Sequence, residues 1–269
     1  MQSRRIGAVI MASVLFASAA SARDRQPVGA TGTIDPLPRD VEMQLALSAL
    51  PRHLRDSATV YVLNPAHGFE VARTGTNGFH AFVARIGDDT FRGSWPFAAY
   101  RTDILYPISF DDAGAKANMR VFFDAAEAEA KGMRPQDLKN LIQERYRTHY
   151  YQPPERAGVS YMMSPILRTY VTPETNDNVC TTIVPHVMHY VPNISPDAVG
   201  AGTPTPDDLR YFCEHGQYRN DPDPFVIFHG PHGYLIQFLG VTERDAIHQE
   251  YEGLLARLCA LKTLWCLPK

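Results

Sequence analysis

The chain has 269 residues, a formal net charge of −3 and 45% hydrophobic residues, enough apolar material for one sizeable core. The acidic balance excludes a basic footprint for nucleic acid, and with it a polybasic membrane contact. No repeat and no low-complexity linker divides the chain.

Residues 1–22 read as a secretory signal peptide. Arg4 and Arg5 supply the positive start, Ile6–Ala20 carries no charge, and Ala20-Ser21-Ala22 is an A-x-A cleavage site. The apolar stretch is shorter than the roughly 20 residues a membrane span needs, and no later segment reads as an integral membrane segment. Cleavage removes both arginines and no acid, so the net charge moves from −3 to −5. The expected location is periplasmic or secreted.

Residues 23–37 are polar and rich in Gly and Pro, and read as a flexible lead-in to a single domain over 38–269. Asp40 is placed to cap a short helix through Val41, Leu45, Leu47 and Ala49, closed by Pro51. Three β-rich runs follow, Thr59–Leu63, Phe69–Arg73 and Phe79–Val83, with a Gly75-Thr-Asn-Gly78 turn before the third. Together they predict a β-meander. Residues 87–113 read as an irregular packed loop. A helix is expected from near Asp112, with Met119, Phe122, Phe123, Ala126 and Ala130 on one face and Gly132 as its stop. Pro135 opens another, with Leu138, Leu141 and Ile142 inward.

Val159–Met163 and Val184–Val191 read as strands, 193–224 as loop, and Phe225–Phe228 with Tyr234–Phe238 as a hairpin. The last helix turns Ile247, Tyr251, Leu254, Leu255 and Leu258 inward, with Thr242 and Asp245 resembling a capping box. Antiparallel runs of strands and blocks of helices predict an α+β fold, an antiparallel sheet packed by three to four helices.

Cys180, Cys213, Cys259 and Cys266 are an even set in an exported chain, which favours two disulfides over free or metal-bound thiols. Spacing alone permits more than one connectivity; Cys259 with Cys266 and Cys180 with Cys213 is the favoured pairing.

Leu37–Val41, Thr76–Phe79, Phe110–Gly114, Tyr161–Pro165 and Pro185–Tyr190 occur in this order. Together they resemble an uncharacterised family of exported bacterial proteins. Relatives often carry a cysteine near the position of Ser109 or Phe110, where this chain has none. The resemblance implies an exported, single-domain protein and carries no activity.

Two H-x-x-H pairs, His186/His189 and His229/His232, are the candidate metal ligands. Strand alternation sends His186 and His189 to opposite faces, so the expected trio is His186, His229 and His232. Such a trio would suit zinc with one open position. Met162, Met163 and Met188 beside His186 and His189 would suit copper instead, although methionines commonly fill core. Ser164 and His189 are candidate ligand contacts. So is Asn77, which equally suits a turn position with φ > 0. No G-x-S-x-G elbow marks Ser164 as a nucleophile. Asp88-Asp89 and Asp111-Asp112 read as solvated loop and helix-start acids. The expected function is a small-molecule or metal-binding accessory protein of the cell envelope, the alternative a metal- or histidine-assisted hydrolase at His186/His229/His232.

Overall fold

The computed structural model describes residues 34, 36–86, 100–170, 179–190, 196–200, 207, 211, 213, 226–228 and 234–268. The leader, most of the lead-in, Asp88-Asp89, His229 and His232 lie outside the described residues. The fold is a single α+β domain in which helices cover both faces of the central strands.

Helix α1 (Arg39–Ser48) forms where Val41, Leu45 and Ala46 recur at helical spacing, all buried. Its N-cap is Pro38, without a side-chain cap bond. Asp40 does not cap it; it lies in the first turn and meets Arg257 instead, at 2.5 Å. After the short α2 (Arg52–Arg55) come β1 (Thr59–Asn64), β2 (Gly68–Arg73), β3 (Phe79–Ala84) and β4 (Tyr106–Asp111).

These four strands are not a meander. Their order is β2-β1-β3-β4, with β3 parallel to β1, Thr59 opposite His80. The link from β2 to β3 is therefore a strap across the start of β1 rather than a hairpin turn. The backbone N–H groups of Thr76 and Asn77 donate to the Ser57 carbonyl at 2.7 and 3.1 Å. At Gly75 a Cβ would stand 2.2 Å from the Ala58 backbone, so only glycine lets the two chains cross.

Strand β4 lies where the sequence reads as loop. Pro107 masks it, since proline withholds a ladder donor and is expected at edges. Here it pairs with Val83 in an antiparallel register with β3. On its other side β4 runs beside β5 (Val159–Met162) and β6 (Leu167–Tyr170). Leu105 and Arg168 exchange backbone bonds at 3.1 and 2.7 Å. Past Pro107, the Ser109 hydroxyl takes over the pairing. It donates to the Tyr161 carbonyl at 3.0 Å and accepts from the Tyr161 N–H at 3.3 Å. One buried side chain thus joins the first sheet to a second, ordered β5-β8-β10-β9, with β8 at His186–Tyr190, β9 at Val226–Phe228 and β10 at Tyr234–Phe238. β7 (Val179–Thr182) pairs only with β6 among the described strands.

Alternation divides the core in two. Phe82, Ile108, Phe110, Met162, Met188 and Tyr190 face α4 (Arg120–Ala130) and α5 (Pro135–Arg147), which bury Phe122, Leu138 and Ile142 against them. Val60, Ala81, Val83 and Leu105 face α1 and the C-terminal helices. Strands covered on both faces read as continuous apolar runs, as in Ala81–Ala84.

After the short α6 (Pro196–Val199), α7 (Val241–Glu250) and α8 (Glu252–Leu261) are one expected helix broken at Tyr251. Their inward residues are the expected Ile247, Tyr251, Leu254, Leu255 and Leu258. Gly240 is the N-cap of α7, so Thr242 lies inside the helix and the capping box does not form.

Disulfides join Cys180 to Cys213 and Cys259 to Cys266. Near them, Asp103 is fully buried between Arg101 and Arg168. Burial alone would raise its carboxyl, but the two guanidiniums hold it down at about 2. Glu42 is buried too, accepting from the Leu63 N–H at 2.9 Å; desolvation pushes it up to about 7. No described helix is long and apolar enough to cross a membrane.

Candidate functional site

The described end of the expected metal centre is His186, and its surroundings are those of a core residue. It is buried on the inward face of β8, its Nδ1 is 2.7 Å from the Val184 carbonyl, and its ring tilts against Phe238. His189 is on the opposite face, as alternation requires. β10 does pair with β8, but Phe238 is opposite His186 while Tyr234 is opposite Tyr190. Phe228 pairs with Tyr234, and so lies towards the far end of β8. Four strand residues, about 13 Å, separate that end from His186. His229 and His232 of the expected trio with His186 lie outside the described residues. Among the described residues no group of three or more His, Cys, Asp or Glu is placed to hold a metal.

The copper set divides. Met162 and Met188 share the inner face with His186, deep among apolar side chains, whereas Met163 packs in the other core. Ser164 is buried beside Ser48, their hydroxyls 3.0 Å apart, and accepts from the Ile166 N–H at 3.4 Å. It holds a turn. Asn77 donates to the Leu54 carbonyl at 2.7 Å and accepts from the Phe79 N–H at 3.1 Å. Both ends of its amide are thereby used to fasten the strap, and the positive φ belongs to its neighbour Gly78.

Two of the short motifs, Thr76–Phe79 and Phe110–Gly114, meet at the end of β4, and Tyr190 of a third packs against Gly114. Asp111 is an N-cap, its Oδ1 accepting from the Gly114 N–H at 2.8 Å. The turn it starts, α3 (Asp112–Gly114), runs into a π-helical segment, Ala115–Met119, before α4 begins. Such π turns widen a helix locally and recur at functional sites. Here the segment directs Lys116 outward and buries Ala117 and Asn118. Its outer side forms one wall of a cleft of about 120 Å³. Asp112, Ala113, Lys116 and Ala117 line that wall, and Gln152–Arg156 line the other. Pro153-Pro154 holds the second wall extended.

Asp112 is braced from behind. Its Oδ1 is 3.2 Å from His80 Nε2, and His80 Nδ1 is 3.1 Å from the Tyr61 hydroxyl. With a neutral imidazole, Nε2–H donates to the carboxylate and Tyr61 donates to Nδ1, so a single tautomer satisfies the chain. Tyr61 is itself packed edge-on to Phe123, and desolvation raises its phenol. Arg156 stands 3.7 Å from Asp111. Lys116 and Glu155 have no ion pair among the described residues.

Beneath the cleft, the fully buried Tyr190 approaches Asn118 and Ser160. Burial drives its phenol far above the usual range; Ser160 and Asn118 oppose the shift by hydrogen bonding, and Asp111 adds to it. A Cβ on Gly114 would stand 2.5 Å from the Tyr190 ring, so the turn and the ring fit only with glycine there.

The chain matches no protein-family model, no curated protein and no solved structure. Roles therefore come from geometry alone. His80, Lys116, Asn118, Arg156 and Tyr190 were not candidates from sequence, and Asp111 and Asp112 read as solvated acids. Asp111, Asp112, Lys116 and Asn118 share one turn and π segment, whereas His80, Arg156 and Tyr190 reach them from elements far away in the chain. The one usable signal was the pattern of short glycine-containing motifs, whose glycines fit against the site's side chains.

Proposed function

We propose that this protein is a small-molecule-binding accessory protein of the cell envelope that holds its ligand in the Asp112–Arg156 cleft. The observation that carries the reading is the construction of that cleft. A capped turn, a π segment and an extended proline pair enclose polar side chains, one of them braced by the His80–Tyr61 chain. The cleft is below the roughly 300–1,000 Å³ of drug-sized sites, so a ligand of few heavy atoms suits it. Residues 1–22 as a leader and two disulfides support a periplasmic or secreted location.

The test is an NMR titration of the isotope-labelled mature chain, residues 23–269, with pools of small polar solutes of both charge signs. Saturable amide shifts centred on Ala113–Ala117 and Gln152–Arg156 are expected. Shifts elsewhere only, or none that saturate with any pool, refute a binding cleft. Export is tested by fusing residues 1–22 to an alkaline phosphatase lacking its own leader; an inactive, cytoplasmic fusion refutes the location.

A further inference from the structure

The cleft carries charges of both signs that do not cancel one another. Asp112 and Glu155 are acids, Lys116 and Arg156 are bases, and all four line it. Among the described residues Lys116 and Glu155 enter no ion pair. Asp112 is held by His80, and the acid Arg156 reaches among the described residues is Asp111, at 3.7 Å, while its Nη1 donates to the Ala157 carbonyl at 3.3 Å. A purely anionic ligand would leave the two acids beside it without a cation. A purely cationic one would do the same to the bases, and in either case the ligand would stand against like charges, which repel it. A ligand with one ammonium and one carboxylate satisfies both pairs.

Resting on the binding-cleft reading, we infer that the ligand is a small zwitterion, a free α-amino acid. Its ammonium meets Asp112 and Glu155, and its carboxylate meets Lys116 and Arg156. The side chain lies on Ala113, Ala117 and the proline pair, and the space of about 120 Å³ admits only a small one. His80 is a positioning residue: it fixes the Asp112 carboxylate through Nε2 and does not touch the ligand.

The experiment titrates the mature chain with glycine, L-alanine, N-acetyl-L-alanine, L-alaninamide and phosphoethanolamine, read by amide shifts and by calorimetry. Glycine or L-alanine should bind, and each blocked analogue should bind at least about tenfold more weakly, the worth of one charge-assisted hydrogen bond. Asp112→Asn and Lys116→Met, both at exposed positions, should each weaken L-alanine by about tenfold while leaving the melting temperature unchanged. His80→Phe should weaken it less, and the effect should vanish in the Asp112→Asn background. Equal binding of the blocked analogues overturns the zwitterion and leaves the cleft reading intact. Preference for phosphoethanolamine overturns the amino acid in favour of a headgroup-type ligand. Absence of binding by both glycine and L-alanine also overturns the inference, while the pools of mixed polar solutes decide the cleft separately.

Discussion

Replacing Glu42 by glutamine should stabilise the protein, by an amount that depends on pH. Glu42 is 2% exposed, and desolvation lifts its carboxyl from 4.5 to about 7 despite the Leu63 N–H it accepts and the nearby Arg85. Between those two values the native state keeps a proton that the unfolded chain has released. Stability therefore falls as the pH rises from about 4.5 to about 7, and this contribution is constant above that. At roughly 1.4 kcal/mol per pH unit, the ionised acid costs the fold about 3 kcal/mol at pH 8. Glutamine keeps the carbonyl that accepts from Leu63 and carries no charge. Urea denaturation of both proteins by circular dichroism at pH 5, 6, 7 and 8 gives the difference directly. Glu129, whose carboxyl desolvation raises to about 8, is present in both and cancels. The advantage of E42Q should be small at pH 5 and grow by roughly 1.4 kcal/mol per unit up to pH 7. A difference that stays flat across the range, or a less stable E42Q at pH 8, refutes the reasoning.

Ser109→Ala removes the hydroxyl that bridges the two sheets and leaves the N–H and carbonyl of Tyr161 without that partner. A loss of roughly 1–3 kcal/mol is expected by urea denaturation, with faster amide exchange at Tyr161. Gly114→Ala drives a methyl into the Tyr190 ring and should cost roughly 1–3 kcal/mol. Its calorimetric melting temperature should fall accordingly, and an unchanged one would contradict the close fit. Replacing Cys180 and Cys213 together by serine opens a link spanning 33 residues and should cost about 2–4 kcal/mol in chemical denaturation. No difference between the oxidised wild type and this variant would show that the bridge adds nothing to stability.

Local pattern by itself determined most of the elements. The helices at 39–48, 120–130 and 135–147 are set by apolar spacing, proline and glycine, which act within a few residues. The inward side of the C-terminal helices and the two faces of β8 follow from periodicity alone. Tertiary structure decided what depends on residues far apart in the chain. β3 sits parallel to β1 because the strap crosses where Gly75 permits, and a turn-rich sequence also fits a meander. β4 is a strand despite Pro107 because β3 pairs along its whole length, while Ser109 bonds Tyr161 on its other side. Register sets Phe238 opposite His186 and Tyr234 opposite Tyr190, an offset invisible in either strand's own sequence. The cleft arises for the same reason: Asp112, His80, Tyr61 and Arg156 are brought together by packing, and no periodicity along the chain encodes that meeting.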